Sequence, residues 1–240
     1  MDRKTRHQLK QDEFRVGFEE LEEYLKTHFK EIAITAAVAI VLAGLVLGPK
    51  YYLDRQETSS NIELSAAMKT FESYVGPPTP ETAASDSFLT AGEKYTKALD
   101  QFNAIVLKYK MFPRPKAADI ALYQAGVCES MLGKSSAAVQ TLEEAGRNRD
   151  REIATLAQFA LAGEYLKTGK TQEAVKIYQG LADHPSLSVP RATALLAQAD
   201  ADRDSAPAQA RQIYGQVLKE FGSVSSVAED VKQKMAGLPQ

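Results

Sequence analysis

The side chains whose types suit catalysis or metal binding are His7, His28 and His184, the thiol of Cys128, the run Asp200-Ala-Asp202-Arg-Asp204 and the pair Lys134-Ser135. Such groups act only when they converge, and their spacing here works against that. His7 falls in an N-terminal tail, His28 beside an apolar run and His184 before a proline. The Asp run opens like a calcium loop, but Ser205 stands where the sharp turn needs glycine and Arg211 where the bidentate glutamate belongs. A solvated helix end is the expected reading. Lys134-Ser135 follows Gly133 and is read as a turn rather than a Ser/Lys dyad, and no Gly-rich phosphate loop or Gly-x-Ser-x-Gly elbow occurs. A lone cysteine forms no intramolecular disulfide and fits either side of a membrane. The expectation is a non-enzyme with no catalytic, metal or cofactor residues, whose function lies in binding.

The elements that position a binding surface begin with an uncharged stretch of 18 residues, 32–49. As a helix it spans about 27 Å, close to the hydrocarbon core of a bilayer. Tyr24 and Phe29 on one side, and Tyr51, Tyr52 and Leu53 on the other, supply interfacial anchors. A cleaved signal peptide is the main rival, but its charged leader would run to Glu31, and no small-x-small site with a polar exit follows Leu47. The tail carries Arg3, Lys4, Arg6, Lys10, Arg15, Lys26 and Lys30, whereas Lys50 and Arg55 are the basic residues just after the anchor. The positive-inside rule therefore puts residues 1–31 in the cytoplasm and 50–240 outside, which in a bacterium with two membranes is the periplasm.

With 29 basic against 31 acidic residues, the chain lacks the positive excess that phosphate binding needs, so nucleic acid is not an expected partner. Alternating β-branched runs and Asn-Gly or Asp-Gly hairpin turns are missing, and the expected fold class is all-α.

A period of 36 residues organises the soluble part. Gly126, Gly133, Ala138, Leu142 and Ala145 recur as Ala162, Gly169, Ala174, Tyr178 and Leu181, and Ala174 and Tyr178 recur again as Ala210 and Tyr214. In a helical hairpin a small residue lets the second helix approach, glycine makes the turn, and a large apolar residue fills the groove beyond. The clearest unit pairs 154–167 with 172–183 around Thr168-Gly169-Lys170-Thr171. An earlier unit covers 117–145 and a later one 187–221, broken at 202–207. A first unit pairs 61–75 with a second helix from Gly92, separated by an exposed, mobile loop at 76–87 rich in Pro, Thr and Ser. A last helix, 224–235, covers the end of the stack.

The run from Leu161 through Tyr165, Gly169 and Ala174 to Tyr178 resembles a tetratricopeptide repeat, and 102–126 is similar to repeats of envelope proteins of that superfamily. The layout of acidic tail, single anchor and repeats resembles the ancillary SecYEG translocon subunit family. Gln198 and Ser205 depart from the motif where a small residue and glycine are expected. The resemblance implies an inner-membrane scaffold whose periplasmic repeats link the translocon to periplasmic chaperones. An envelope-assembly or cell-division adaptor with the same fold is the alternative, and a cytosolic-signal relay through the tail is a third.

Two further segments are candidate interfaces. Read as a helix, the tail aligns Phe14, Phe18, Leu21, Leu25 and Phe29 in one apolar stripe, with Glu19, Glu20, Glu22 and Glu23 among the acidic residues around it. It is read either as a partner-docking helix or as an interfacial extension of the anchor. Gly44 and Gly48 form a small-x-x-x-small pattern that would let a second copy approach and form a homodimer. The alternative is a pair of lipid-facing or membrane-exit glycines.

Overall fold

The computed structural model describes residues 27–77, 87–111 and 113–238 and divides into two compact units, Met1–Arg55 and Gln56–Gln240. The tail stripe from Phe14 to Leu25 and positions 78–86 lie outside the described residues.

In the first unit the described chain is the beginning of helix α1 (Phe29–Glu72). An 18-residue window of this helix has mean hydropathy 2.4 with none of it buried, so it is long and apolar enough to cross a membrane. The helix overruns 32–49 in both directions. Pro49 lies inside it, although proline removes one ladder hydrogen bond and crowds the preceding turn. The segment predicted as a separate opening helix at 61–75 is instead the final stretch of α1.

In the second unit, the end of α1 is followed by α2 (Ala91–Lys108), α3 (Lys116–Met131), α4 (Ser135–Ala145), α5 (Arg151–Lys167), α6 (Thr171–Asp183), α7 (Arg191–Asp202), α8 (Pro207–Phe221) and α9 (Ser225–Ala236). The described residues contain no strand. An isolated bridge between Val75 and Phe88 ties the two ends of the Pro-rich connection, with Gly76 N donating to Phe88 O at 2.8 Å.

Local chemistry sets the helix ends. Thr90 caps α2 in a reciprocal box with Glu93, at 3.2 and 3.3 Å, and the Asp150 carboxylate accepts from Glu152 N at 2.9 Å to cap α5. Prolines 115 and 190 precede α3 and α7, where a missing N–H costs the helix nothing. Between α3 and α4, and again between α5 and α6, glycine takes the left-handed conformation, Gly133 at φ 70° and Gly169 at φ 77°. Each turn closes with the same bond one residue later, Lys134 N to Glu129 O at 2.9 Å and Lys170 N to Tyr165 O at 2.8 Å. The turn between α7 and α8 has no glycine and closes through Ala206 N to Asp202 O at 2.7 Å.

Helices α3 to α8 pack as successive hairpins, each helix against the next in sequence, with α9 on α8 and α3 also against α5. The end of α1 and α2 run antiparallel: Phe71 meets Tyr95 and Phe102, with ring centroids 5.6 and 6.4 Å apart, while Glu63 meets Lys108 and Tyr109. Three apolar clusters form the core. One joins α1, α2 and α3 through Ala67, Phe102, Ile105, Ala121 and Ala125; one joins α3, α4 and α5 through Leu122, Leu142, Ala157 and Leu161; the largest runs from α5 to Leu238. Alanines at many of the contacts bring helix backbones close, and large side chains fill the space beside them.

Candidate interaction surface

The residues singled out by their period occupy the inside of the hairpins. A Cβ built on Gly126 of α3 would stand 2.8 Å from both Cγ and Cδ2 of Leu142 on α4, so these two residues meet at the helix crossing. Ala138, Ala162, Ala174, Ala210, Leu142 and Tyr214 have no exposed surface, and Tyr178 is buried. Tyr165 is half-buried and donates its hydroxyl to Glu143 Oε1 at 3.0 Å, joining α5 to α4. Gly133 and Gly169 make the turns. Gly44 and Gly48 are exposed in the first unit, with nothing within 4 Å of a Cβ placed on either. These side chains set how hairpins pack.

Half-buried apolar side chains remain on the first helices of two successive hairpins, α3 and α5. On α3 the buried stripe is Ala117, Ala118, Ala121, Leu122, Ala125, Gly126 and Cys128, leaving Ile120, Tyr123 and Val127 half-buried on the opposite side. One period later Leu156 and Phe159 occupy the places of Ile120 and Tyr123, also half-buried, with the Phe159 ring 5.2 Å from that of Tyr178. Gly163 stands in the place of Val127, and on α7 the equivalents of Phe159 and Gly163, Leu195 and Ala199, are buried. Equivalent positions in stacked hairpins share equivalent faces. The half-buried apolar strip of α3 therefore repeats on α5.

The stack is also pinned by a carboxylate that the repeat pattern did not single out. Glu164 of α5 is 1 % exposed and accepts hydrogen bonds from Ser130 of α3 and from Lys167 Nζ at 2.6 Å. Lys167 Nζ also donates to Ser130 Oγ at 2.7 Å, closing a triangle between the first helices of two successive hairpins. Burial alone would push the Glu164 carboxyl up; hydrogen bonds from Lys167, Ser130 and Ser135 outweigh it and hold the group below the ordinary value of 4.5. One sequence signal was available: Glu164 lies seven residues after Ala157, on the buried face of α5.

The sign of this pin is testable. Because the folded carboxyl titrates below its unfolded value, its stabilisation is present above 4.5 and is lost as pH falls through the lowered folded value. In Lys167→Met the burial remains while the largest compensating bond is gone, so the folded value rises. The variant's deficit against the natural chain is expected to be largest at neutral pH and to shrink as pH falls through the variant's folded value towards that of the natural chain. Denaturant titrations across the acid range measure it, and a constant deficit would refute the assignment.

Several of the other polar residues read as chemistry have structural roles. Asp200 accepts from the Tyr214 hydroxyl and from Lys234, tying α7 to α8 and α9. Asp202 is buried, and burial pushes its carboxyl up. Cys128 is fully buried, its thiol pushed up to about 12 by burial and by Glu129 despite Lys94. His184 ends α6, and its carbonyl accepts from Arg151 at 3.2 Å. Comparison of the chain with protein-family models found no match, and none was found among curated proteins.

Proposed function

We propose that the chain is a single-pass inner-membrane protein whose tetratricopeptide-like hairpins form a scaffold at the secretion translocon, linking it to periplasmic chaperones. The supporting observation is the combination of one exposed apolar helix, wholly unburied over the window with mean hydropathy 2.4, with stacked hairpins that repeat a half-buried apolar strip. An apolar helix with no protein face to bury it is accounted for by lipid. The strips suit folding factors or emerging chains, and the anchor brings them to the membrane complex at high effective concentration.

Photo-crosslinkers at Val46 in the anchor and at Tyr123 and Phe159 on the strips, in otherwise complete chains, separate these roles. Anchor crosslinks to translocon subunits and strip crosslinks to periplasmic chaperones are the expected result. Strip adducts with outer-membrane or cell-wall assembly proteins, and anchor adducts with no translocon subunit, would replace this reading by the envelope-assembly one.

A further inference from the structure

The turn between α7 and α8 differs from the two earlier ones in more than its missing glycine. Asp202, the last residue of α7, is 6 % exposed. One period earlier the same place holds Leu166, which packs against the largest apolar cluster. An apolar side chain therefore suits this position, yet a carboxyl is buried there, and its Oδ2 has no hydrogen-bond partner among the described residues. Burial pushes the carboxyl up, with no donor or cation to offset it. An acceptor left unpaired in the interior costs stability and contributes nothing to the fold.

Asp202 lines a groove of about 640 Å³ between the beginnings of α6 and α8. Thr171, Gln172 and Glu173 enter it from the first turn of α6, and Ser205 and Gln209 from the turn before α8 and that helix's first turn. Lys176 also lines it, and among the described residues neither Lys176 nor Glu173 has an ion-pair partner. Beside the groove, Lys170 Nζ lies over the Tyr165 ring at 5.3 Å, Arg203 donates to the Gly237 carbonyl at 3.3 Å, and Asp204 is exposed. With all of these counted, Glu173, Asp202 and Asp204 balance Lys170, Lys176 and Arg203. Selection among ligands therefore rests on hydrogen bonds at short range and not on a net field.

The unmet requirement is a donor for Asp202. The Glu173 carboxylate, the amide oxygens of Gln172 and Gln209 and the hydroxyls of Thr171 and Ser205 offer further acceptors around it. A guanidinium, planar with five N–H donors and no acceptor, matches such a set. A divalent metal matches it poorly, because among the described residues no three of His, Cys, Asp and Glu cluster. An anion at the helix starts, neither of which has a side-chain cap, would face both carboxylates.

We propose that this groove takes an arginine side chain of a polypeptide partner, the guanidinium donating to Asp202 at the floor and to Glu173 and the glutamine amides nearer the rim. The groove lies within the second unit and owes nothing to the anchor or to the role proposed above.

The test uses the full chain in mild-detergent micelles and saturation-transfer NMR with three blocked tripeptides, glycine on either side of arginine, citrulline or glutamate. The arginine peptide is expected to bind, its uncharged citrulline isostere at least about tenfold more weakly, and the glutamate peptide not at all. Asp202→Asn and Asp202→Leu should each abolish binding of the arginine peptide, while Asp204→Asn, at the exposed neighbour, leaves it unchanged. Asp202→Leu, which restores the side chain of the preceding hairpin, should melt at or above the temperature of the natural chain. Equal binding of the arginine and citrulline peptides, binding that survives both changes at 202, or preference for the glutamate peptide would overturn the site. Melting of Asp202→Leu well below the natural chain would show that the carboxyl is already used by the fold, and would overturn it equally.

Discussion

Phe102→Ala is expected to cost the second unit about 3 to 5 kcal/mol, the range for truncating a fully buried aromatic. Phe102 has no exposed surface and sits where α1, α2 and α3 meet, in contact with the Phe71 ring. Three helix backbones surround the site, so the cavity has little freedom to collapse, and both the lost apolar transfer and the unfilled volume count against the variant. Leu107→Ala, five residues along the same helix but 67 % exposed, is expected to change stability by under about 0.5 kcal/mol. Denaturant unfolding of Gln56–Gln240 carrying each change measures the contrast, and equal midpoints would show that the first helices do not share a core.

The second large effect is a reversal of sign between two chemically identical changes. Gly126→Ala places a methyl 2.8 Å from two carbons of Leu142, which has no exposed surface and no solvent to swing into. Overpacking of this kind costs about 1 to 3 kcal/mol, only partly offset by the better helix propensity of alanine. Gly180→Ala, also inside a helix, meets nothing within 4 Å and is expected to stabilise by about 0.5 to 1 kcal/mol. Urea titrations of both variants separate the cases; stabilisation by Gly126→Ala would mean that α3 and α4 do not cross at this residue.

Much of the helical layout was legible because it is set by local rules. The α5–α6 pair was read as 154–167 and 172–183 and is observed as Arg151–Lys167 and Thr171–Asp183. The glycine between them marks a turn because a left-handed residue is inexpensive only without a Cβ. The α7–α8 turn shows the limit of that signal. Lacking glycine, it still closes at 202–207, because Pro207 begins the next helix and Asp202 supplies the carbonyl that accepts from Ala206. The helix does not end with the uncharged run at Pro49, for a related reason. A proline penalty is local, and favourable helix on both sides carries α1 through it to Glu72.

The sequence by itself determined the all-α class, the apolar 32–49 run, the turn positions and the small residues at helix contacts, since all of these follow from periodicity and residue size within one or two turns of helix. The tertiary structure alone decided which distant groups meet. Glu164 finds Ser130 34 residues away, Glu63 finds Tyr109 46 away, and Leu187 is held out by Glu152 35 away. A side chain's helical face can be read from its neighbours in the chain. Its partner across a stack depends on hairpin rise and rotation summed over many residues, and those are settled only when the helices pack.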